Sequence, residues 1–258
     1  MPAFTLGDLP DVLREMLETG HFRDPSGISH PLHSNIAADE AVALYTLIRQ
    51  LRPRASAEIG FALGVSGLAI LGALEANDGE GTHYVCDPRQ TALVAGQGLE
   101  HVRRAGLGHR LQFHEKYPEE IFPFLPSLQF AFIDASHHFD LSLLDFILVD
   151  KRLEIGGLVG FHDTWMPSLQ KVVRYILANR AYRIHPASLL DPAMPTPAPS
   201  LHHRLSTAAK KILRALPSSD RFLAPEILKP WADFHLGNMV FLEKIAPDSR
   251  DWRHHVPF

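Results

Sequence analysis

The chain of 258 residues has a single cysteine, Cys86, and that scarcity closes several routes at once. No disulfide can form within it, no multi-cysteine zinc site can be built from it, and a reducing compartment, the cytoplasm, is the default expectation. Long hydrophobic runs are also missing. The longest uncharged apolar-rich stretch, 59–74, has 16 residues and carries Gly60, Gly64 and Gly67 at turn-like positions. A bilayer-crossing helix needs about 20 apolar residues, so no membrane span is expected. The N-terminus has no basic segment ahead of an apolar core, so no signal peptide is expected either. Charge of one sign is not in excess: 25 basic against 29 acidic residues give a net charge of -4 with histidine neutral. That balance offers no global attraction to nucleic acid. With 46% hydrophobic and 21% charged residues the composition excludes disorder, and no G-x-y repeat is present to suggest collagen.

What the sequence does have is histidine, 16 in all, so behaviour near pH 6 is expected to differ from behaviour near pH 8. It also has length enough to build one substantial core. Periodicity predicts an N-terminal helix over 8–20, stopped at Gly20, then a loop over 21–35 with two prolines and three histidines. We therefore expect residues 1–35 to form a helix and loop ahead of a main domain, 36–258. That domain opens with a helix over 37–51 ended by Pro53. Strands are then predicted at 56–60, 82–87, 110–114, 128–134, 158–163, 181–185 and 238–244. Helices are predicted between them at the segment after Gly67, at 91–105, at 139–153 (ended by Gly156 and Gly157) and at 167–179. Apolar strands alternating with amphipathic helices imply a parallel sheet with right-handed crossovers. Ligands of such sheets bind at the carboxyl ends of the strands. The residues to watch are therefore 60–67, Asp87, 134–138 and 162–164.

The stretch 186–237 interrupts the alternation. It contains a proline-rich connector, 191–200, and a basic amphipathic helix, 201–216, with Arg204, Lys210, Lys211 and Arg214. We expect it to be an insertion between the last two strands, emerging at the ligand end as a lid. Its basic face suits an acidic substrate or a membrane surface, and equally the solvated face of a cap.

The loop after the strand at 56–60 contains Glu58, Gly60, Gly64, Ser66 and Gly67 and opens a helix, so backbone N–H groups are free to meet a ligand. The dinucleotide fingerprint fails, because Ala62 and Val65 stand at its second and third glycine positions. No Lys-Ser or Lys-Thr pair completes a P-loop, and Gly67 follows Ser66 too closely for a nucleophile elbow. Instead, acid-x-Gly-x-x-x-Gly after one strand and Asp87 after the next resembles the class I S-adenosylmethionine-dependent methyltransferases. The segments FIDASHHF and GGLVGFHDTW resemble the D-x-x-H and H-D signatures of a bacterial subgroup related to small-molecule O-methyltransferases, and the resemblance spans 36–185. It implies a doubly wound, Rossmann-like, seven-stranded α/β sheet with the last strand antiparallel. It implies that Glu58, Gly60, Gly64, Ser66, Asp87 and Asp134 hold S-adenosylmethionine, with Asp87 on the ribose hydroxyls. Lys116, Tyr117 and Pro118 replace the Gly-Asp-Ser-like turn of relatives, so no adenine contact is assigned there.

Asp134 and Asp163 each end a parallel strand, and two carboxylates at neighbouring strand ends repel unless a cation or proton lies between them. Oxygen ligands suit Mg²⁺. In the catechol-type relatives an Asp and an Asp-Asn pair hold such an ion; here Thr164 replaces the Asn. His162, or else His137, is the expected third ligand beside Asp134 and Asp163, which would favour a transition metal such as Mn²⁺ over Mg²⁺. The two acids also suit the cofactor's amino group or a helix cap. His137 is the candidate general base, with Asp134 and Asp163 at the reaction centre, and a helix-capping histidine is its alternative. Trp165, Trp231 and Phe234 suit an aromatic substrate site or core packing, and the pairs 202–203 and 254–255 suit solvated surface. Methyl transfer to a hydroxyl of a small-molecule acceptor is the leading expectation. A metal-dependent hydroxylase or lyase on the same fold, or a non-enzymatic module binding a cofactor or partner, remain rivals. A homo-oligomer is compatible with the sequence.

Overall fold

The structure, a computed structural model, describes residues 4–77, 81–188, 237–254, 256 and 258. Its centre is a seven-stranded sheet made of β3 (Ala55–Ile59), β4 (Thr82–Cys86), β5 (Leu111–His114), β6 (Leu128–Ile133), β7 (Leu153–Phe161), β8 (Tyr182–Ile184) and β9 (Val240–Lys244). The spatial order is β5-β4-β3-β6-β7-β9-β8. Strands β3 to β7 pair in parallel, and β9 runs antiparallel to both β7 and β8. The expected doubly wound sheet with its last strand antiparallel is therefore present.

The apolar run at 128–133 exists because β6 is covered on both faces. Phe130 and Phe132 enter one core, with α1 (Asp11–Thr19), α2 (Ala38–Leu51) and α3 (Val65–Ala76). Ala131 and Ile133 enter the other, with α7 (Phe139–Asp150) and α8 (Pro167–Asn179). Gly160 on β7 leaves the room that Phe132 and Phe241 fill; a Cβ there would lie 2.7 Å from the Phe132 ring and 2.8 Å from the Phe241 ring. The apolar stretch 59–74 is the end of β3, a loop and most of α3. Among the described residues no helix is long and apolar enough to cross a membrane.

Several expectations are corrected. The segment 21–35 is not all loop: β1 (His21–Arg23) and β2 (Ser29–Pro31) pair antiparallel. Their turn is held by Asp24, which accepts hydrogen bonds from the Ser26 and Ile28 backbone N–H groups. The expected helix 91–105 is two, α4 (Gln90–Val94) and α5 (Gln97–Arg104), broken where Ala95 (φ 51) and Gly96 (φ 73) turn left-handed. The helix expected to run to 153 ends at Asp150. Gly156 and Gly157 lie within β7, which starts at Leu153, five residues earlier than expected. Apart from 186–188 and Gly237, the expected lid lies outside the described residues. So do the pair 202–203, Trp231, Phe234 and His255.

Candidate active site

The carboxyl ends of β3, β4, β6 and β7 open into one cavity of about 1330 Å³. Gly60 turns the chain out of β3 with φ 89, and a Cβ there would overlap the Asp134 carbonyl oxygen and lie 2.9 Å from Ala135 Cα. Only glycine permits β3 and β6 to end so close together. The loop then passes through Ala62 (φ 43) to Gly64 (φ 76), which sits at the N-cap of α3. Asp87, at the end of β4, fastens this loop. Its Oδ2 accepts from the Phe61 and Ala62 N–H groups at 3.1 and 3.0 Å, and its Oδ1 accepts from the Arg89 N–H at 3.0 Å.

Behind the loop lies a buried polar chain. The Ser66 hydroxyl donates to Glu58 Oε1; Glu58 Oε2 lies 3.0 Å from His83 Nε2, and His83 Nδ1 lies 2.9 Å from Ser56 Oγ. Burial pushes the Glu58 carboxyl up from its ordinary range. Gly60, Ser66, Asp87 and Asp134 line the cavity, whereas Glu58 and Gly64 do not. Glu58 therefore meets the cavity only through Ser66.

At the other end, β6 and β7 present Asp134, His137, His162 and Asp163. His137 Nε2 lies 2.8 Å from Asp163 Oδ2, and the Trp165 indole N–H donates to Asp163 Oδ1 at 2.8 Å. His162 Nδ1 is 3.3 Å from Asp134 Oδ1 and 3.5 Å from Asp163 Oδ2, yet is aligned with neither for a hydrogen bond. Its Nε2 is 3.2 Å from Glu40 Oε2. Burial alone would lower the basicity of His162, but the Asp134 and Glu40 carboxylates on either side outweigh it and raise the group to about 10. For Glu40, burial works upward, and His162 with the Ala37 N–H holds the carboxyl below its ordinary range. One oxygen each of Asp134 and Asp163 and a ring nitrogen of His162 lie within 4.8 Å of one another, a donor set of two carboxylates and one imidazole that fits a single divalent cation.

Thr164, expected near this set as a weak ligand, is buried and donates its hydroxyl to the Gly237 carbonyl oxygen. Trp165 is 60% exposed, so the expected core packing does not describe it. His138 takes the N-cap position of α7 without a capping side-chain bond, while His137 points to Asp163. The cavity is also lined by Glu40, Asn238 and Asp145, which no motif in the sequence singles out. Glu40 has a visible local signal, its place three residues after the N-cap Ala37 of α2, where it accepts from the Ala37 N–H at 2.7 Å. Asn238, which donates to Glu40 Oε1 at 2.9 Å, and Asp145 on α7 carry none.

Residues 57–164 match the model of a family described as a methyltransferase domain. A caffeoyl-CoA O-methyltransferase of Petunia hybrida is 32% identical over 162 residues, which cover 54% of this chain and 61% of that protein. Another caffeoyl-CoA O-methyltransferase, of Petroselinum crispum, is 29% identical over 190 residues, covering 64% and 70%. The chain thus spans about three-fifths of the length of the first relative it matches. Among solved structures, an O-methyltransferase from Bacillus cereus in complex with SAH (S-adenosylhomocysteine) has a TM-score of 0.55 at 14% identity, covering 67% of this chain and 82% of that one. At that identity the likeness is one of fold. The resemblance is borne out at the level of the domain: residues 57–164 match a methyltransferase domain, on the doubly wound sheet that the resemblance implied.

Proposed function

We propose that this chain, with its class I methyltransferase domain over 57–164, transfers a methyl group from S-adenosylmethionine to a hydroxyl of a small molecule. One observation carries the reading. A single cavity joins the Gly60–Asp87 loop to the His137–Asp163 pair. When bound, S-adenosylmethionine supplies an electrophilic methyl on a sulfonium sulfur, and Gly60, Ser66, Asp87 and Asp134 line the part of the cavity that would hold it.

The protein's own part is proton handling and positioning. Asp163 can only accept, so the His137 nitrogen facing it, Nε2, carries the proton and Nδ1 keeps the lone pair. Nδ1 is then the atom that takes the proton of the acceptor hydroxyl as its oxygen attacks. Asp163, held on its other oxygen by Trp165, fixes the ring and balances the charge that His137 gains. A divalent cation shared by Asp134, His162 and Asp163 would polarise the acceptor oxygen. The relatives' substrates suggest catechol-type hydroxyls, as in caffeoyl-CoA, as the first acceptors to try. A hydroxylase or lyase on this fold is not favoured, since the relatives above are O-methyltransferases. Cys86 is buried, and burial pushes its thiol up, which fits a structural cysteine in a reducing compartment.

The test is transfer of labelled methyl to caffeoyl-CoA and simple catechols. The wild type is expected to turn over, and His137→Ala is expected to lower kcat by about 10²–10⁴-fold with little change in KM for S-adenosylmethionine. An unimpaired His137→Ala variant would contradict the assigned base.

A further inference from the structure

Most of the cavity wall comes from within the matched domain, 57–164, part of it from α6 (Pro118–Ile121). Two residues from outside that span, Glu40 and Asn238, reach a candidate ligand. Glu40, the third residue of α2, is 5% exposed, and its Oε2 lies 3.2 Å from His162 Nε2. Other bonds hold the carboxylate there. Oε2 accepts from the Ala37 N–H at 2.7 Å, and Oε1 accepts from the Asn238 side-chain amide at 2.9 Å. Asn238, two residues ahead of β9, is itself pinned beside Asp163. Its carbonyl oxygen accepts from the Thr164 N–H at 3.0 Å, and the Thr164 hydroxyl donates to the Gly237 carbonyl oxygen. Glu40 is thus placed independently of the ring it faces.

The Asn238 amide nitrogen also lies 2.9 Å from His162 Nε2, so this ring nitrogen faces one donor and one acceptor. The acceptor is charged and is the stronger partner, so Nε2 keeps its proton and donates it to Glu40. On the other side of the ring, Nδ1 is buried and has no hydrogen-bond partner among the described residues. Asp134 Oδ1 and Asp163 Oδ2 stand 3.3 and 3.5 Å from it. A buried ring nitrogen without a hydrogen bond, crowded by two carboxylates, marks a place that a cation completes.

We propose that Glu40, steadied by Asn238, is the positioning residue that makes His162 a cation ligand and tilts the site toward a transition ion over Mg²⁺. Its carboxylate fixes the ring's orientation and keeps the proton on Nε2, so the Nδ1 lone pair faces Asp134 and Asp163. Imidazole nitrogen suits a transition ion, whereas Mg²⁺ takes its hold from oxygen. The inference rests on the reading that Asp134, His162 and Asp163 share one cation.

Calorimetric titration of the full chain with Co²⁺ and with Mg²⁺ tests it, in the wild type, Glu40→Gln, His162→Ala and the double variant. Glutamine keeps the size of the side chain and removes its charge. Glu40→Gln is expected to weaken Co²⁺ binding by about 10–100-fold. Mg²⁺ binding, carried by the Asp134 and Asp163 oxygens, is expected to stay near the wild-type value. In the His162→Ala background, Glu40→Gln should change neither affinity further, because its effect passes through the ring. Undiminished Co²⁺ binding in Glu40→Gln overturns the inference. So does an equal loss for both ions, which marks a merely structural role, or a further loss in the His162→Ala background. A wild type that binds neither ion refutes the shared-cation reading itself, and this inference with it.

Discussion

At the residue scale, Gly60 does what no other residue can. Its φ of 89 and the absence of a Cβ let the Asp134 backbone close against the end of β3. Gly60→Ala combines a strained conformation with a backbone overlap, so its cost is expected to be about 2–4 kcal/mol in urea unfolding, well above an ordinary surface change. A loss below about 0.5 kcal/mol would show that the two strand ends can part freely. Asp163, with φ 53, holds a left-handed conformation that a non-glycine residue seldom adopts, and it stands at the candidate reaction centre. Asp87, Asp134 and Asp163 were legible in the sequence because each follows an apolar strand, and parallel topology decides where strand ends go. Glu40 and Asn238 were not placed there. Glu40 meets His162 across 122 residues and Asn238 across 198, and neither separation leaves a local pattern. Asp145 was hidden for another reason: α7 carries three aspartates, Asp140, Asp145 and Asp150, among its apolar residues, and only the packing decides which of them faces the cavity.

At the scale of elements, β6 shows why the fold was readable. Every residue of its run from Phe130 to Ile133 is buried, alternating between two cores. Phe132 is fully buried and wedged beside Gly160, so Phe132→Ala is expected to cost about 3–5 kcal/mol, read as a lower urea midpoint with unchanged slope. A cost below about 1 kcal/mol would mean the cavity left behind collapses freely. The misread elements are those where local signals conflict. Gly156 and Gly157 look like a helix stop, yet β7 already runs there, and its pairing with β6 shifts register between Leu128 and Phe130. The β1–β2 hairpin is only three residues a side, too short for alternation to show, and its turn depends on the Asp24 side chain.

At the scale of the molecule, the sheet order gathers residues from position 33 to position 238 around one cavity. Its β3–β4 side is fastened by Asp87 and its β6–β7 side by the chain of Glu40, His162, Asp134 and Asp163. The proposed methyl transfer requires this cavity to bind S-adenosylmethionine. The most direct measurement is calorimetric titration of the purified protein with S-adenosylmethionine, in Mg²⁺, in Mn²⁺ and in EDTA, beside Asp87→Ala. A Kd of about micromolar order is expected in all three conditions, weakened by about tenfold or more in the variant. No heat of binding under any of these conditions would contradict it.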